Sequence, residues 1–586
     1  MIWFASLLIG LAAVRGFRYT VTEGGLALVN TESFLWVPAL LFFVCVLYMS
    51  FREKDRRLKG SAILFGLITG VFYIIGVSME KRNGIGWIRT NTGVLLNMLN
   101  LFFSHAVLYF CGAFLAFRYL ARISHQKGSA VPGQFSVRRA MLIWIILVLI
   151  YLPWYLFCFP GVISQDTADQ INDAVTLDGI RDHHSAFLTL MMRFVLLPVR
   201  SLTGSMQTGV ALISLLQMLI VAFVFAAAFE WIRRYVRNRT LQALIFLWYA
   251  VYPINNLYSV TLWKDVLFSV SFLALLLCLD AAAEDELAFF ADKKQRILLT
   301  ALLLLLPLMR HNGILISVLT GSAMLFCFPG HRRQVLMILC GFVACFGFWK
   351  LAALPLLHAE KIDPSNVYSV LEQQMARALN VHHGELTDGE MAEYTAYFDI
   401  GDIWDRYRPH ISDPVKRHFR NDLFEEDPGG FFTLWAKLGR RYPLDYIEAF
   451  LANNYGYWFP ETRYVIIDYG VTPGEWDIGD IHAAPVSSLP LIPRIFDYIS
   501  GEKYEKIPLL PLFFSRGACF WLWVFCGCWG LWSRDRKLIL VLAGLSLWLG
   551  ILISPVYNEY RYVYGLFVGL PLLMAVMLSG QREKDS

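Results

Sequence analysis

The sequence predicts an all-α polytopic membrane protein with one large polar domain inserted before its last helices. Three observations predict it. Only 17% of the 586 residues are charged, against about 25% in a typical soluble domain, too few to cover a water-facing surface. The hydrophobic share is 57% and the mean hydropathy +0.51. Apolar runs of roughly 18 residues or more recur from end to end, each long enough for a hydrocarbon core of about 30 Å.

Taken in order, the apolar runs predict helices at 2–14, 34–51, 61–79, 93–118, 141–159, 205–231, 241–257, 262–281, 296–309, 313–328, 335–357, 510–532, 537–553 and 561–579. The first run lacks a basic leader and a small-residue cleavage site, so it reads as a span and not as a removed signal. Basic clusters stand beside these runs at Arg52–Lys59, Arg118–Arg139 (Lys127 included), Arg233–Arg239, Lys293–Arg296, Arg332–Arg333 and Arg534–Lys537. Placing every cluster in the cytoplasm gives about fourteen crossings of the cell membrane with both termini inside. Arg15, Arg18, Lys81, Arg82 and Arg89 then fall outside. The run 186–203 reads as an amphipathic helix in the outer interface. A crossing there would bring Arg193 to mid-bilayer, at a cost of roughly 2.5–3.5 kcal/mol, and flip the Arg233–Arg239 cluster.

This topology divides the chain into a transmembrane core, 1–357, with a first outer loop at 160–204; an extracytoplasmic domain, mainly α, at 358–509; and C-terminal helices with a short tail at 510–586. The net charge of +5 reflects clusters flanking membrane runs, and no nucleic-acid partner is expected. All ten cysteines lie in or beside apolar runs, so no disulfide framework is expected in the outer domain.

Polar residues out of keeping with an apolar chain collect on the outer side. The first loop, PGVISQDTADQINDAVTLDGIRDHHSAF, holds Asp166, Asp169, His183 and His184. The segment LWKDVLF puts Lys264 and Asp265 at a helix end. The run LLTALLLLLPLMRHNGILI breaks at Arg310 and His311, and SPVYNEYRYVYG carries Glu559, Arg561 and Tyr562. Each alone has a bland reading as a loop acid, a cap or a snorkelling anchor. Arg310 is the hardest to dismiss, because ionisable groups inside membrane segments mark substrate paths or buried pairs. The cluster suits transfer from a phosphate-linked lipid: Lys264, Arg310 and Arg561 to hold an anionic phosphate, and a loop carboxylate, Asp166, as general base. No Walker loop, glycine-rich phosphate loop or paired cysteine ligands occur. A divalent cation (Mg2+ or Mn2+) shared by Asp166 and Asp169 is left open.

At these residues the chain resembles the GT-C glycosyltransferases, membrane-embedded enzymes that use polyprenyl-phosphate sugars. The shared order is SQD in the first outer loop, HH before an interfacial helix, KD at a helix end, RHNG at a helix break and a late Arg-Tyr. The resemblance is nearest to a bacterial branch of uncharacterised function. It implies a catalytic first-loop aspartate, Asp166, with Asp169 beside it, and basic grips on the lipid phosphate at Lys264, Arg310 and Arg561. It also implies inversion by single displacement, and as partners a polyprenyl-phosphate sugar donor, membrane lipids and an extracytoplasmic glycan, lipid or protein acceptor. Ser185 and Ala186 depart from it, standing where the family often has Pro-Pro.

Within the outer domain, DYIEAFLANNYGYWFPETRY gathers Asn453, Asn454, Tyr455, Tyr457 and Trp458, with Asn454 and Tyr455 as candidate acceptor contacts; packing onto the membrane is the equal alternative. A polymerase or ligase of lipid-linked glycans would instead use His382, His383, His410, Arg408 and Arg417. A lipid or glycan flippase should show repeats or broken helices at mid-membrane, and no repeat is evident.

Overall fold

The computed structural model describes residues 1–28, 36–126, 133–176, 180–462, 476–483, 491–500, 503–533, 536–553 and 558–578. Lys127 and Arg534 lie outside the described residues. The chain is mostly helical, and eight helices among the described residues are long and apolar enough to cross a membrane, the longest being Thr92–Ile123, with Arg56–Arg82 and Met206–Ile232 among the others. Five shorter apolar helices accompany them, among them Trp36–Arg52 and Leu538–Ile553. It is an all-α polytopic membrane protein; among the described residues the strands form two short antiparallel hairpins, Tyr19–Thr22 with Gly25–Leu28 and Trp476–Ile478 with Ile481–Ala483.

Two expected single helices are broken. The run 241–257 divides at Tyr252 because Pro253 starts a new short helix, Pro253–Ser259; proline cannot donate back to the preceding turn. The run 510–532 divides into Leu510–Phe514 and Arg516–Ser533, with Ser515 extended between them.

The helix Lys264–Glu284 sets the scale of the bundle. Its 21 residues rise about 30 Å, one hydrocarbon thickness. Lys264 and Asp265 begin it. At its other end Asp280 accepts from Trp231 Nε1 at 2.8 Å and from the Tyr235 hydroxyl at 2.7 Å, while Arg234 pairs with Glu284. Arg139 and Arg233 grip the buried Glu230 beside them, Arg536 pairs with Glu286, and Asp55 accepts from Trp532 Nε1. The basic clusters expected on one side are therefore gathered at one end of the bundle, a helix length from Lys264.

The helix Ala186–Thr203 could cross a membrane by length and composition, yet both its ends lie at the Lys264 end. Met192 and Leu196 share one apolar cluster with Ile163, Ile171 and Leu262 and with Met206, which opens the next helix. Arg193 Nη1 donates to the carbonyls of Ala174 and Thr176, each at 2.9 Å, so its charge sits at the level of the first loop. These contacts pack the helix against the first loop and the start of the next helix.

The polar domain has its own core, built on the helix Pro364–His382 with Met375, Leu379, Phe431 and Leu438. It is tied to the turn after the helix Arg56–Arg82. Glu448 Oε1 accepts from the backbone N–H of Ile85 and Gly86 at 2.6 and 2.8 Å, and Arg377 bonds both Glu448 and the Asn83 carbonyl. Phe459 then wedges into the bundle: a Cβ on Gly76 would lie 2.3 Å from its ring, and one on Gly517 2.6 Å from its carbonyl carbon. Glycine is required at both approaches. Replacing Glu448 by Ala takes the hydrogen-bonded carboxylate from the buried Arg377, leaving it only Asp445 at 3.8 Å, and is expected to cost about 3 kcal/mol. Thermal unfolding and limited proteolysis check this: segments within 360–455 should be cut first, and a melting curve equal to the parent's would contradict the clamp.

Candidate functional site

Four segments of the chain meet at the mouth of the bundle. The first loop enters at Ser164, which caps the helix Gln165–Val175, accepts from Trp263 Nε1 and bonds the Thr167 hydroxyl at 2.9 Å; Thr167 donates on to the Leu262 carbonyl. These bonds fix the loop against the start of the helix Lys264–Glu284 and aim Asp166 across it. Arg561, at the start of the last helix, donates from Nη1 to Asp166 Oδ2 at 2.8 Å, bonds Glu559, and lies 3.9 Å from Asp265 Oδ2. Arg310 donates to the other oxygen of Asp265 at 2.7 Å. Four distant segments thus form one continuous chain of charges: Asp166, Arg561, Asp265, Arg310.

Aromatic faces hold the guanidiniums. Arg561 lies 4.4 Å from the Trp263 ring centre and Arg310 4.2 Å from that of Tyr562. Such contacts gain strength where water is excluded. Asp265 is almost fully buried, with a side chain 2% exposed, whereas that of Asp166 is 42% exposed. The two carboxylates therefore differ in setting: Asp265 is sealed between guanidiniums and Asp166 is open to solvent.

Burial pushes the Asp166 carboxyl up, but the charges of Arg561 and Lys264 outweigh it and hold it down at about 2. It is ionised at any physiological pH. His183 is lowered to about 3 by burial and by Lys264, and His184 is lowered for the same reasons. Both stay neutral. His184 Nε2 lies 4.0 Å from Asp169 Oδ2, and the two imidazoles meet edge-on at 4.6 Å. His311 bonds the Asp182 carbonyl at 2.8 Å, while Lys350 pairs with the Asp182 carboxylate at 2.7 Å. Lys264 Nζ donates to the His183 carbonyl at 3.0 Å, one bond from three available N–H groups.

Ser185 explains a departure noted above. Its φ is +72°, its Oγ donates to the Leu308 carbonyl at 2.6 Å, and it caps the interfacial helix. Proline is fixed near −65°, so the backbone at 185 excludes it.

Several expected site residues take other duties. Asp169 faces His184, and Asp166 is engaged by Arg561. Among the described residues no three His, Cys, Asp or Glu side chains converge to hold a metal ion, so the Asp166–Asp169 pair does not assemble a donor set. Asp265, Arg310 and His311 are bracing groups. Asn454 and Tyr455 are buried; Asn454 donates to the Phe450 carbonyl, and Tyr455 packs near His410. Tyr457 is the outer-domain residue that reaches the cluster, close enough to feel Tyr562, Glu559 and Arg310 electrostatically. The alternative cluster in that domain is spent on structure: His382 lies between Glu385 and Asp445, Arg408 donates to the Asp405 and Tyr407 carbonyls, and His410 meets the Ala452 carbonyl. Sequence reading missed Trp263, Ser164 and Lys350. Trp263 was signalled by its place next to Lys264; nothing marked Lys350.

Residues 176–586 match DUF6020, a family of unknown function. The chain belongs to this family. The matched span takes in His183, Lys264, Arg310 and Arg561 and begins after Asp166. No curated protein and no solved structure matches the chain.

Arg310→Ala removes the hydrogen-bonded partner of the buried Asp265, leaving it Arg561 at 3.9 Å, and is expected to lower stability by about 3 kcal/mol. Joint replacement, Arg310→Met with Asp265→Leu, should recover most of that loss in thermal unfolding. A double variant no more stable than the single one would show that the pair is not the brace.

Proposed function

We propose that this protein is an integral membrane glycosyltransferase of the GT-C type, moving a sugar from a polyprenyl-phosphate carrier to an acceptor hydroxyl outside the cytoplasm. The observation that carries the reading is the Asp166 carboxylate: reachable, ionised, and set beside Lys264 and Arg561 at the end of an apolar bundle. The proposal includes about fourteen crossings, cytoplasmic termini and an extracytoplasmic site covered by the 358–509 domain.

In this mechanism Lys264, with N–H groups to spare, binds the carrier phosphate, and Arg561 supports it as negative charge grows on the leaving group. The acceptor oxygen bonds the anomeric carbon as the bond from that carbon to the phosphate oxygen breaks, its electron pair departing on the polyprenyl phosphate. The hydroxyl proton passes to Asp166, and the configuration inverts. A carboxylate held near 2 is a weak base. It takes the proton late, once the new bond has made the acceptor oxygen strongly acidic.

Asp166→Asn should abolish sugar transfer while elution profile and melting stay unchanged; retained activity would remove the mechanism. Lys264→Ala should raise the donor KM more than it lowers kcat. With Asp166 held at about 2 and His183 at about 3, neither should give a titration limb in kcat/KM between about pH 5 and 7.5. An acid limb near pH 6 would count against the assignment. For sidedness, a membrane-impermeant thiol reagent on intact cells should label Gly389→Cys and spare Arg239→Cys; the reverse pattern would overturn the topology.

A further inference from the structure

Three cavities meet beside the start of the last helix, Tyr560–Leu578. The first, about 710 Å³, is apolar and runs between the helices Arg56–Arg82 and Arg516–Ser533, lined by Phe65, Phe72, Trp521 and Leu522. From Lys81 down to Phe65 is about 24 Å of helix, deeper than one leaflet of a core about 30 Å thick. The second, about 540 Å³ and equally apolar, lies between Val251 and Ile495. Trp248 and Phe513 line both and form the fork between them. Val251, Leu512 and Phe513 are each about half exposed on the outer face of the bundle, so both branches open sideways.

The third cavity, about 640 Å³, is polar. It shares Pro460 with the first branch and Tyr504 and Phe514 with the second. Among the described residues its walls carry three carboxylates, Glu80, Glu461 and Glu505, against two cations, Lys81 and Arg516. That leaves no positive excess for a phosphate, but it offers acceptors and donors together, the mixture a sugar's hydroxyls need. Tyr560 borders it too; its hydroxyl bonds that of Tyr252, which stacks on Trp248 at the fork. Arg561 is the next residue in the chain.

We infer that these cavities form a binding site for a two-chain lipid with an uncharged, hydroxyl-rich headgroup, a diacyl glycolipid, its chains parted by Trp248 and Phe513 and its headgroup in the polar cavity. A single-chain lipid would leave one apolar branch unfilled, and an anionic headgroup would face a carboxylate majority. If the transferase reading holds, this glycolipid is the acceptor; the binding itself does not depend on that reading.

The test is native mass spectrometry of the full chain given equal amounts of a monoglucosyl diacylglycerol, a phosphatidylglycerol and a polyprenyl phosphate. The glycolipid should be retained about tenfold over either competitor, a difference of about 1.4 kcal/mol. Val251→Trp and Leu512→Trp fill one branch each from half-exposed positions, and each should cut glycolipid retention by a similar factor. Leu244→Trp, on the same outer face but lining neither branch, should not. Equal retention of all three lipids, preference for the polyprenyl phosphate, or filled variants that bind like the parent while eluting and melting normally would overturn the site. Asp166→Asn should bind the glycolipid as the parent does. A parent that binds it and transfers no sugar would sink the transferase reading alone.

Discussion

Everything at the mouth of the bundle depends on the need to neutralise charge where water is scarce. Lys264, Arg310 and Arg561 stand against Asp166, Asp265 and Glu559. With the histidines neutral, this set sums to zero. An isolated ion at such a place would cost several kcal/mol in lost hydration, so each arginine pairs with a carboxylate, while Lys264 rests on the His183 carbonyl. The carboxylates come from three segments: Asp265 from the helix that also carries Lys264, Asp166 from the first loop, Glu559 from the approach to the last helix. Neutralisation is thus also the device that draws four distant stretches together. Asp265, gripping Arg310 with one oxygen and facing Arg561 with the other, is its centre.

The polar domain completes the enclosure by the same logic. Glu448 stops the N-terminus of the turn after Arg82 with two backbone bonds, and Arg377 balances it. Further along, a short parallel bridge joins Arg181 to Glu360, so the start of the domain is stitched to the loop holding His183 and His184. The domain is therefore anchored on both sides of the site, to the first loop and to the turn after Arg82. Tyr457, from the segment that follows its last long helix, is the side chain it lends to the charged mouth.

Much of this was legible in the sequence, and for definite reasons. Apolar runs announce their helices through composition alone, and the out-of-place charges announced the mouth because nothing else in the chain explains an arginine at a helix break. The basic clusters foretold which ends lie together. Roles within the cluster were not legible. Lys264 and Asp265 are adjacent in sequence, yet one is partly open with spare donors and the other is sealed against two guanidiniums; only the fold decides which neighbour faces in. Asn454 and Tyr455 read as binding residues by type, but helix register turned them into packing. Pro253 could have signalled the break in the run 241–257, whereas Lys350 pairs with Asp182 across 168 positions, a contact no local pattern encodes.

The neutral sum also constrains what the mouth can do with an anion. A phosphate approaching Lys264 enters a site whose arginines are already committed, so its charge competes directly with the carboxylates for the same guanidiniums. Arg310 is the poorer prize, since releasing it would strand the sealed Asp265. Arg561 is shared among three carboxylates and can turn toward a new partner at less cost, with Asp166 the most solvated of the three. On the transferase reading, donor arrival and release of Asp166 from its ion pair are then one event. The base becomes competent only when the leaving group is in place, and water, arriving without the phosphate, meets a carboxylate still held by Arg561.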